Sequence, residues 1–344
     1  LAGNKGAGGG SAARGPASAG EDWRPCAAAS LLRRRAALLA RLRAFMAARE
    51  ILEVETPLLC AFPAAEPQIR SFRVVAAGGE GGYLRASPEY YMKRLLAAGL
   101  GPIYQLGRVF RRGERSPLHE PEFTVLEWYR PGFDQYRLMD EVAELLRELG
   151  LPAPERLSYR DAFRRYAGLD PWTASPAELA AAAAAQGLRR AARRPRRECL
   201  DLLLAVRVAP RLGRERPQFL CDFPADQALQ AHIADGDPPV AERFELFIRG
   251  VEIADGCREL TDAAELERRL REVPRRAPDT GLLAAVRHGL PEGAGVALGV
   301  DRLLLTLSGA QRLAEVIAFP LGLPPGLSPG TAAPPDTDVG AGDF

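Results

Sequence analysis

The sequence predicts an α+β fold: an antiparallel sheet flanked by helices. Three observations lead there. Apolar residues at helical spacing alternate with two hairpin patterns, at 103–129 and 244–255, and not with single crossover strands. No GxGxxG follows a strand and no GxxxxGKS/T occurs, so neither a Rossmann nor a P-loop nucleotide site is supported. No stretch reaches the roughly 18 apolar residues of a membrane span, so no membrane association is expected.

Each element follows from its local pattern. Residues 1–22 are rich in Gly, Ala and Ser, show no signal-peptide run, and are expected to form a disordered leader. Ser30 to Ala48 sets Leu31, Leu38, Leu42, Phe45 and Met46 on one helical face with arginines between them. Residues 51–57 alternate like a short strand that stops at Pro57. Residues 58–82 read as irregular. Tyr83 to Ala86 reads as a strand end. Ser87-Pro88-Glu89 then starts a helix, with Ser87 as N-cap and Pro88 at the first helical position. Ile103–Phe110 and Pro121–Tyr129 form a long hairpin around the charged loop 111–120. Leu138 to Leu149 is an amphipathic helix. Residues 152–240 are expected to be mostly helical and arginine-rich. A second hairpin turns at Arg249-Gly250, a helix covers 265–271, and a glycine-bearing strand from Gly295 leads into a helix ending near Leu307. Residues 321–344, dominated by Pro and Gly, are expected to be a disordered tail.

Forty-six basic side chains against 44 acidic ones leave a net charge of +2, which argues against a chain built to coat nucleic acid. The five cysteines are scattered without zinc-site spacing, as expected of reduced thiols in a cytoplasmic protein. Lys5 and Lys93 are the only lysines; arginine has replaced lysine almost everywhere else, a compositional bias that no single site requires.

Several residues are candidates for chemistry. On 121–129 alternation puts Phe123, Val125, Glu127 and Tyr129 on one face. A carboxylate between aromatics is costly to bury unless a cation meets it. Either this face is solvated, or Glu127 is the counter-ion of an ammonium group with Tyr129 beside it. Arg111, at the end of the facing strand, suits a phosphate or carboxylate; His119 shares its loop. A tight turn at 249–250 brings Glu245 and Glu252 roughly opposite each other. Like charges across a ladder repel, so they either face water or hold a cation. Oxygen-only ligation points to Mg²⁺ shared with phosphate. Gly299 permits close backbone approach, and Arg302 at the strand-to-helix junction is placed for a phosphate.

Together these segments resemble a known family. Phe110-Arg111 with His119-Glu120-Pro121-Glu122-Phe123-Thr124 is similar to the second signature of class II aminoacyl-tRNA synthetases in its lysyl form. Gly295 to Arg302 resembles the third signature, and Val54-Glu55-Thr56-Pro57 the first, a dimer-interface element. Ser87 to Leu96 and Leu126 to Pro131 resemble the short lysyl-tRNA synthetase paralogues that modify elongation factor P. The resemblance covers residues 23–320 as one catalytic domain.

It implies a six- or seven-stranded antiparallel sheet, a homodimer, and activation of lysine or (R)-β-lysine by ATP and Mg²⁺ to an aminoacyl-adenylate. A lysine ε-amine of elongation factor P would then take the acyl group. By matching position, Arg111 would hold the α-phosphate and substrate carboxylate, and Arg302 the γ-phosphate. Phe123 would stack on adenine, Glu114 would sit at its edge, and His119 would approach the outer phosphates. Gly113, Glu120, Ile253 and Gly299 complete the implied ATP contacts. Glu245 and Glu252 would hold Mg²⁺. Glu89, following Ser87 and Pro88, would take the amine at the reactive end. Glu127, Tyr129 and Glu259 would line the pocket for the terminal ammonium. Ala297 stands where lysyl-tRNA synthetases carry Gly, and its methyl is expected to disfavour α-lysine. Glu120 and Asp255 stand where the family usually has Asn, and each adds negative charge. The short stretch ahead of the core helix holds no anticodon-binding barrel, so no stable tRNA binding is expected. The alternatives are a catalytic core that aminoacylates tRNA or a small molecule, and an inactive nucleotide-binding regulator.

Overall fold

The computed structural model describes residues 24–321 apart from 65, 67, 76–80 and 273–278. The expected leader, and all but the first residue of the expected tail, lie outside the described residues.

Helix α1 (Ala29–Ala47) leads to β1 (Leu52–Glu53), β2 (Leu59–Cys60), β3 (Phe72–Val75) and β4 (Gly81–Leu84). Helix α2 (Glu89–Ala97) precedes the long hairpin β5 (Ile103–Phe110) and β6 (Glu122–Pro131), then α3 (Gln135–Glu148). Next come β7 (Glu155–Ser158), α4 (Tyr159–Tyr166), α5 (Pro176–Ala185) and α6 (Arg196–Leu203). Strands β8 (Gln218–Pro224), β9 (Ile233–Ala234), β10 (Val240–Ile248) and β11 (Val251–Arg258) follow. The chain closes with α7 (Ala263–Arg271), α8 (Thr280–Gly289), β12 (Gly293–Gly299) and α9 (Val300–Ser308).

The main sheet runs β1-β5-β6-β12-β11-β10-β8-β7, with β9 paired to β10. It is antiparallel except at its edges, where β1 pairs with β5 and β7 with β8 in parallel. Among the described residues it has nine strands, two at the edge only two residues long, where the resemblance implied six or seven. Residues 58–82, expected to be irregular, contribute the small sheet β2-β4-β3. Residues 152–240, expected to be mostly helical, contain β7, β8, β9 and the start of β10 as well. The Ala- and Arg-rich helical letters on either side masked these strands.

One face of the sheet is covered by α1, α3 and α9, whose Leu42, Leu138 and Leu304 pack with Leu126, Trp128, Phe244 and Leu298. The other face is covered twice. Helices α4 to α6 pack on Leu220, Phe223 and Phe247 at one end. Helices α2, α7 and α8 pack around Ile103, Tyr129 and Leu260 at the other. The central strands β6, β12 and β11 are left open between these two helical caps. The pleat thus aims alternate side chains of these strands into a gap with a floor of sheet and walls of helix.

Candidate active site

That gap is a cavity of about 430 Å³. Strand register lays out its floor in rows. Glu127 pairs with Ala297, Ala297 with Asp255, and Asp255 with Glu245. In the next row Tyr129 pairs with Gly295 and Gly295 with Cys257. Gly295 is required there: a Cβ would lie 2.4 Å from the Tyr129 ring and 2.7 Å from Glu259 Oε1. The expected face of β6 is confirmed, since Phe123, Val125, Glu127 and Tyr129 all line the cavity while Leu126 and Trp128 enter the opposite core.

Of the residues singled out, all but Pro88 and Gly113 line this one cavity. Pro88 is the residue preceding α2; the Ser87 hydroxyl accepts from Glu89 N at 2.9 Å, so the helix starts one position later than expected. Gly113 turns the β5–β6 loop with φ at 84°.

The hairpin β10–β11 corrects one expectation. The residue opposite Glu245 is Asp255, not Glu252, which faces Phe247. The register shifts because Ile253 is an extra residue between Glu252–Phe247 and Ala254–Leu246. Glu252 and Asp255, three apart, would face opposite sides in a regular strand. The bulge turns both to the face that carries Glu245. Burial, then repulsion from Glu252 and Asp255, holds the Glu245 carboxyl well above the carboxylate range. Arg243 offsets part of this charge, 3.1 Å from Asp255 Oδ2 and 3.4 Å from Glu245 Oε1. Asp255, which the sequence marked as an added negative charge, is therefore partly compensated within the chain.

One end of the cavity holds three carboxylates with different partners. Glu127 is 3% exposed. It accepts from the Ser87 hydroxyl at 2.9 Å and the Tyr129 hydroxyl at 2.8 Å, both neutral donors. Burial, then the nearby Glu89 carboxylate, pushes Glu127 up to about 8. Glu89 and Glu259 are instead bound to Lys93, whose Nζ lies 2.6 Å from Glu89 Oε1 and 2.7 Å from Glu259 Oε2. Two of the three glutamates assigned to substrate by resemblance thus already share a cation of the chain.

At the other end, Arg111 lies over the Phe123 ring, 5.2 Å from its centroid, and 3.8 Å from Glu114. Its Nε is buried without a hydrogen-bond partner, which suits it to an anionic ligand. Arg302 donates to the Leu118 and Glu252 carbonyls and to His119 Nε2 at 2.7 Å. His119 Nε2 is then the acceptor, and Nδ1–H donates to the Ser116 hydroxyl at 2.7 Å. Burial, then the Arg302 charge, lowers the His119 pKa, in keeping with this neutral ring. Gly299 meets nothing closer than 3.7 Å at its Cβ position, so neighbouring protein does not demand glycine there; the space opens into the cavity. Among the described residues no three His, Cys, Asp or Glu side chains group into a metal site. Glu245 and Glu252 nonetheless fit magnesium, which commonly takes one or two carboxylates and completes its shell with phosphates and water.

Sequence reasoning missed the supports behind these groups. Asp301, 2% exposed, bonds Arg35 of α1 and accepts from Thr124 N at 2.6 Å, tying the start of α9 to β6 beside Arg302. The partners of Lys93 and Arg243 were missed too. Only the rarity of lysine in this chain offered a signal.

The family model for class II tRNA synthetases (D, K and N) matches residues 21–322. The chain is also similar to proteins named elongation factor P–(R)-β-lysine ligase in three bacteria. It is 48% identical to that of Photorhabdus laumondii over 315 residues, covering 87% of this chain and 97% of the relative. For Yersinia enterocolitica the identity is 47% over 317 residues, 87% of this chain and 98% of the relative. For Yersinia pestis it is 46% over 318 residues, 88% and 98%.

Proposed function

The chain belongs to the class II tRNA synthetase family, and on that premise we propose that it is an ATP-dependent ligase that activates (R)-β-lysine or lysine and transfers it to a lysine of elongation factor P. One observation carries the substrate reading: Glu127 is a buried, cavity-facing carboxylate that accepts hydrogen bonds from two neutral hydroxyls. A terminal ammonium seated against it supplies the missing charge. The substrate carboxylate then lies toward Arg111, across the floor formed by Ala297.

The chain's residues act by placement. Arg111 brings the carboxylate oxygen and the α-phosphate of ATP together, Phe123 supports the adenine, and Arg302, held by His119, meets the outer phosphates. Attack of the carboxylate on the α-phosphorus releases pyrophosphate and leaves the aminoacyl-adenylate. No protein nucleophile is needed; orientation and charge stabilisation lower the barrier. Magnesium bound by Glu245 and Glu252 would neutralise phosphate charge. The ε-amine of elongation factor P then attacks the acyl carbon and AMP leaves. A homodimer belongs to the same reading. The exposed Leu52, Leu58, Leu59 and Val75, on β1 to β3 and their connections, supply apolar surface for it.

Incubation with ATP, magnesium and (R)-β-lysine, offered purified elongation factor P in one arm and bulk tRNA in another, tests the proposal. Acyl transfer to the protein supports it. Transfer to tRNA alone would overturn the acceptor, and no transfer or pyrophosphate exchange would leave the regulator reading in its place.

A further inference from the structure

Of 46 basic residues only two are lysines, and among the described residues Lys93 is the only one. It lies one helical turn after Glu89 on α2, is 2% exposed, and does not itself line the cavity. It stands behind the wall that Glu89 and Glu259 form. Its Nζ meets three oxygens: Glu89 Oε1 at 2.6 Å and Gln230 Oε1 at 3.3 Å by hydrogen bonds, and Glu259 Oε2 at 2.7 Å as an ion pair. The ammonium donates to Glu89 and Gln230 and pairs by charge with Glu259, meeting all three from one point. A guanidinium is planar and larger, and its fork does not aim three donors from one point. At this site the chemistry opposes the arginine bias of the rest of the chain.

The consequence for the cavity is electrostatic. Glu89, Glu127 and Glu259 come from three segments and crowd one end of it. Without a cation between them, the Glu89 and Glu259 carboxylates would repel each other and swing apart. With Lys93 in place both are held, and Glu127 is left to the neutral hydroxyls.

We propose that Lys93 is a positioning residue for amine recognition: it locks Glu89 and Glu259 in the cavity wall and so directs the substrate's terminal ammonium to Glu127. The inference rests on the reading that the cavity binds a diamino acid, and extends it by saying which carboxylate is open to the terminal amine and why. It also explains why a lysine, and not one of the chain's many arginines, occupies this position.

The test is amino-acid-dependent ATP–pyrophosphate exchange by Lys93→Met and Lys93→Arg in the full chain. Both should raise KM for lysine or (R)-β-lysine about thirtyfold, as expected for losing a charge-assisted hydrogen bond, with KM for ATP within about twofold of wild type. The pH dependence of KM adds a readout that a merely structural role leaves alone. Glu127 faces Glu89 and Lys93 from α2, Tyr129 on its own strand, and Arg85 beyond β4. Removing the Lys93 charge should move the fall in KM to higher pH. If Lys93→Met does not fold, Lys93→Met/Glu259→Gln removes both members of the buried pair and is read the same way. Wild-type amino-acid KM and pH profile in Lys93→Met, or in the double variant, would overturn the proposal, and wild-type KM in Lys93→Arg would overturn the need for an ammonium. If the wild-type enzyme shows no exchange with either lysine isomer, the substrate reading fails and this inference falls with it.

Discussion

With Glu127 as the proposed seat of the substrate's ammonium, substrate affinity should depend on pH, in a direction the environment of Glu127 fixes. The side chain is pushed up to about 8 by burial and by Glu89, from an ordinary value of 4.5. An ammonium binds the carboxylate and not the acid, so the apparent affinity scales with the ionised fraction. At pH 6.5 about 3% of Glu127 is ionised and at pH 8 about half, so KM for the diamino acid should fall about 15-fold between them. Binding at pH 7 should also release about 0.9 proton, because the ammonium drives the carboxyl to ionise. The assay is pyrophosphate exchange across pH 6–8.5 with ATP saturating. Proton release is measured by calorimetry in two buffers of different ionisation enthalpy. A KM that stays flat from pH 6.5 to 8, or binding without proton release, would refute the assignment of Glu127 as the ammonium's partner.

Other perturbations follow from the same geometry. Since Glu127 titrates higher in the folded chain than in the unfolded one, folding is progressively penalised as pH rises from 4.5 to 8; Glu127→Gln should therefore raise the melting temperature relative to wild type at pH 8.5 and leave it nearly unchanged at pH 5. Arg111→Lys, which keeps the charge but loses the planar fork, should slow pyrophosphate exchange about a hundredfold, measured at saturating substrates. Asp301→Asn breaks the pairing with Arg35 and should cost about 3 kcal/mol in denaturant unfolding. Ala297→Gly removes the methyl beside Glu127 and should increase α-lysine activation relative to (R)-β-lysine; no gain contradicts the role given to that methyl.

The site was legible where its geometry is local. Period-two alternation in β6 assigned Glu127 and Tyr129 to one face without any tertiary information, and the β5 limits Ile103–Phe110 match the structure. The signatures placed Arg111 and Arg302 in one site although almost 200 residues separate them. What the letters hid was register and long-range pairing. A single extra residue, Ile253, decides that Glu252 and Asp255 share a face, and nothing in its identity announces a bulge. Lys93 finds Glu89 one helical turn away, but its second partner, Glu259, arrives through the sheet. Asp301 and Arg35 meet across nearly the whole described chain. Strands β8 and β9 were lost because arginine- and alanine-rich helical segments surround them.

Pyrophosphate exchange with lysine against norleucine, which keeps the carbon chain but carries hydrogen in place of the terminal ammonium, tests the account most directly. With the ammonium gone the buried carboxylate has no charged partner, and kcat/KM should drop about 10⁴-fold, the scale for a site left with unpaired polar groups. Comparable activation of both amino acids would show that the acidic end of the cavity does not select the substrate.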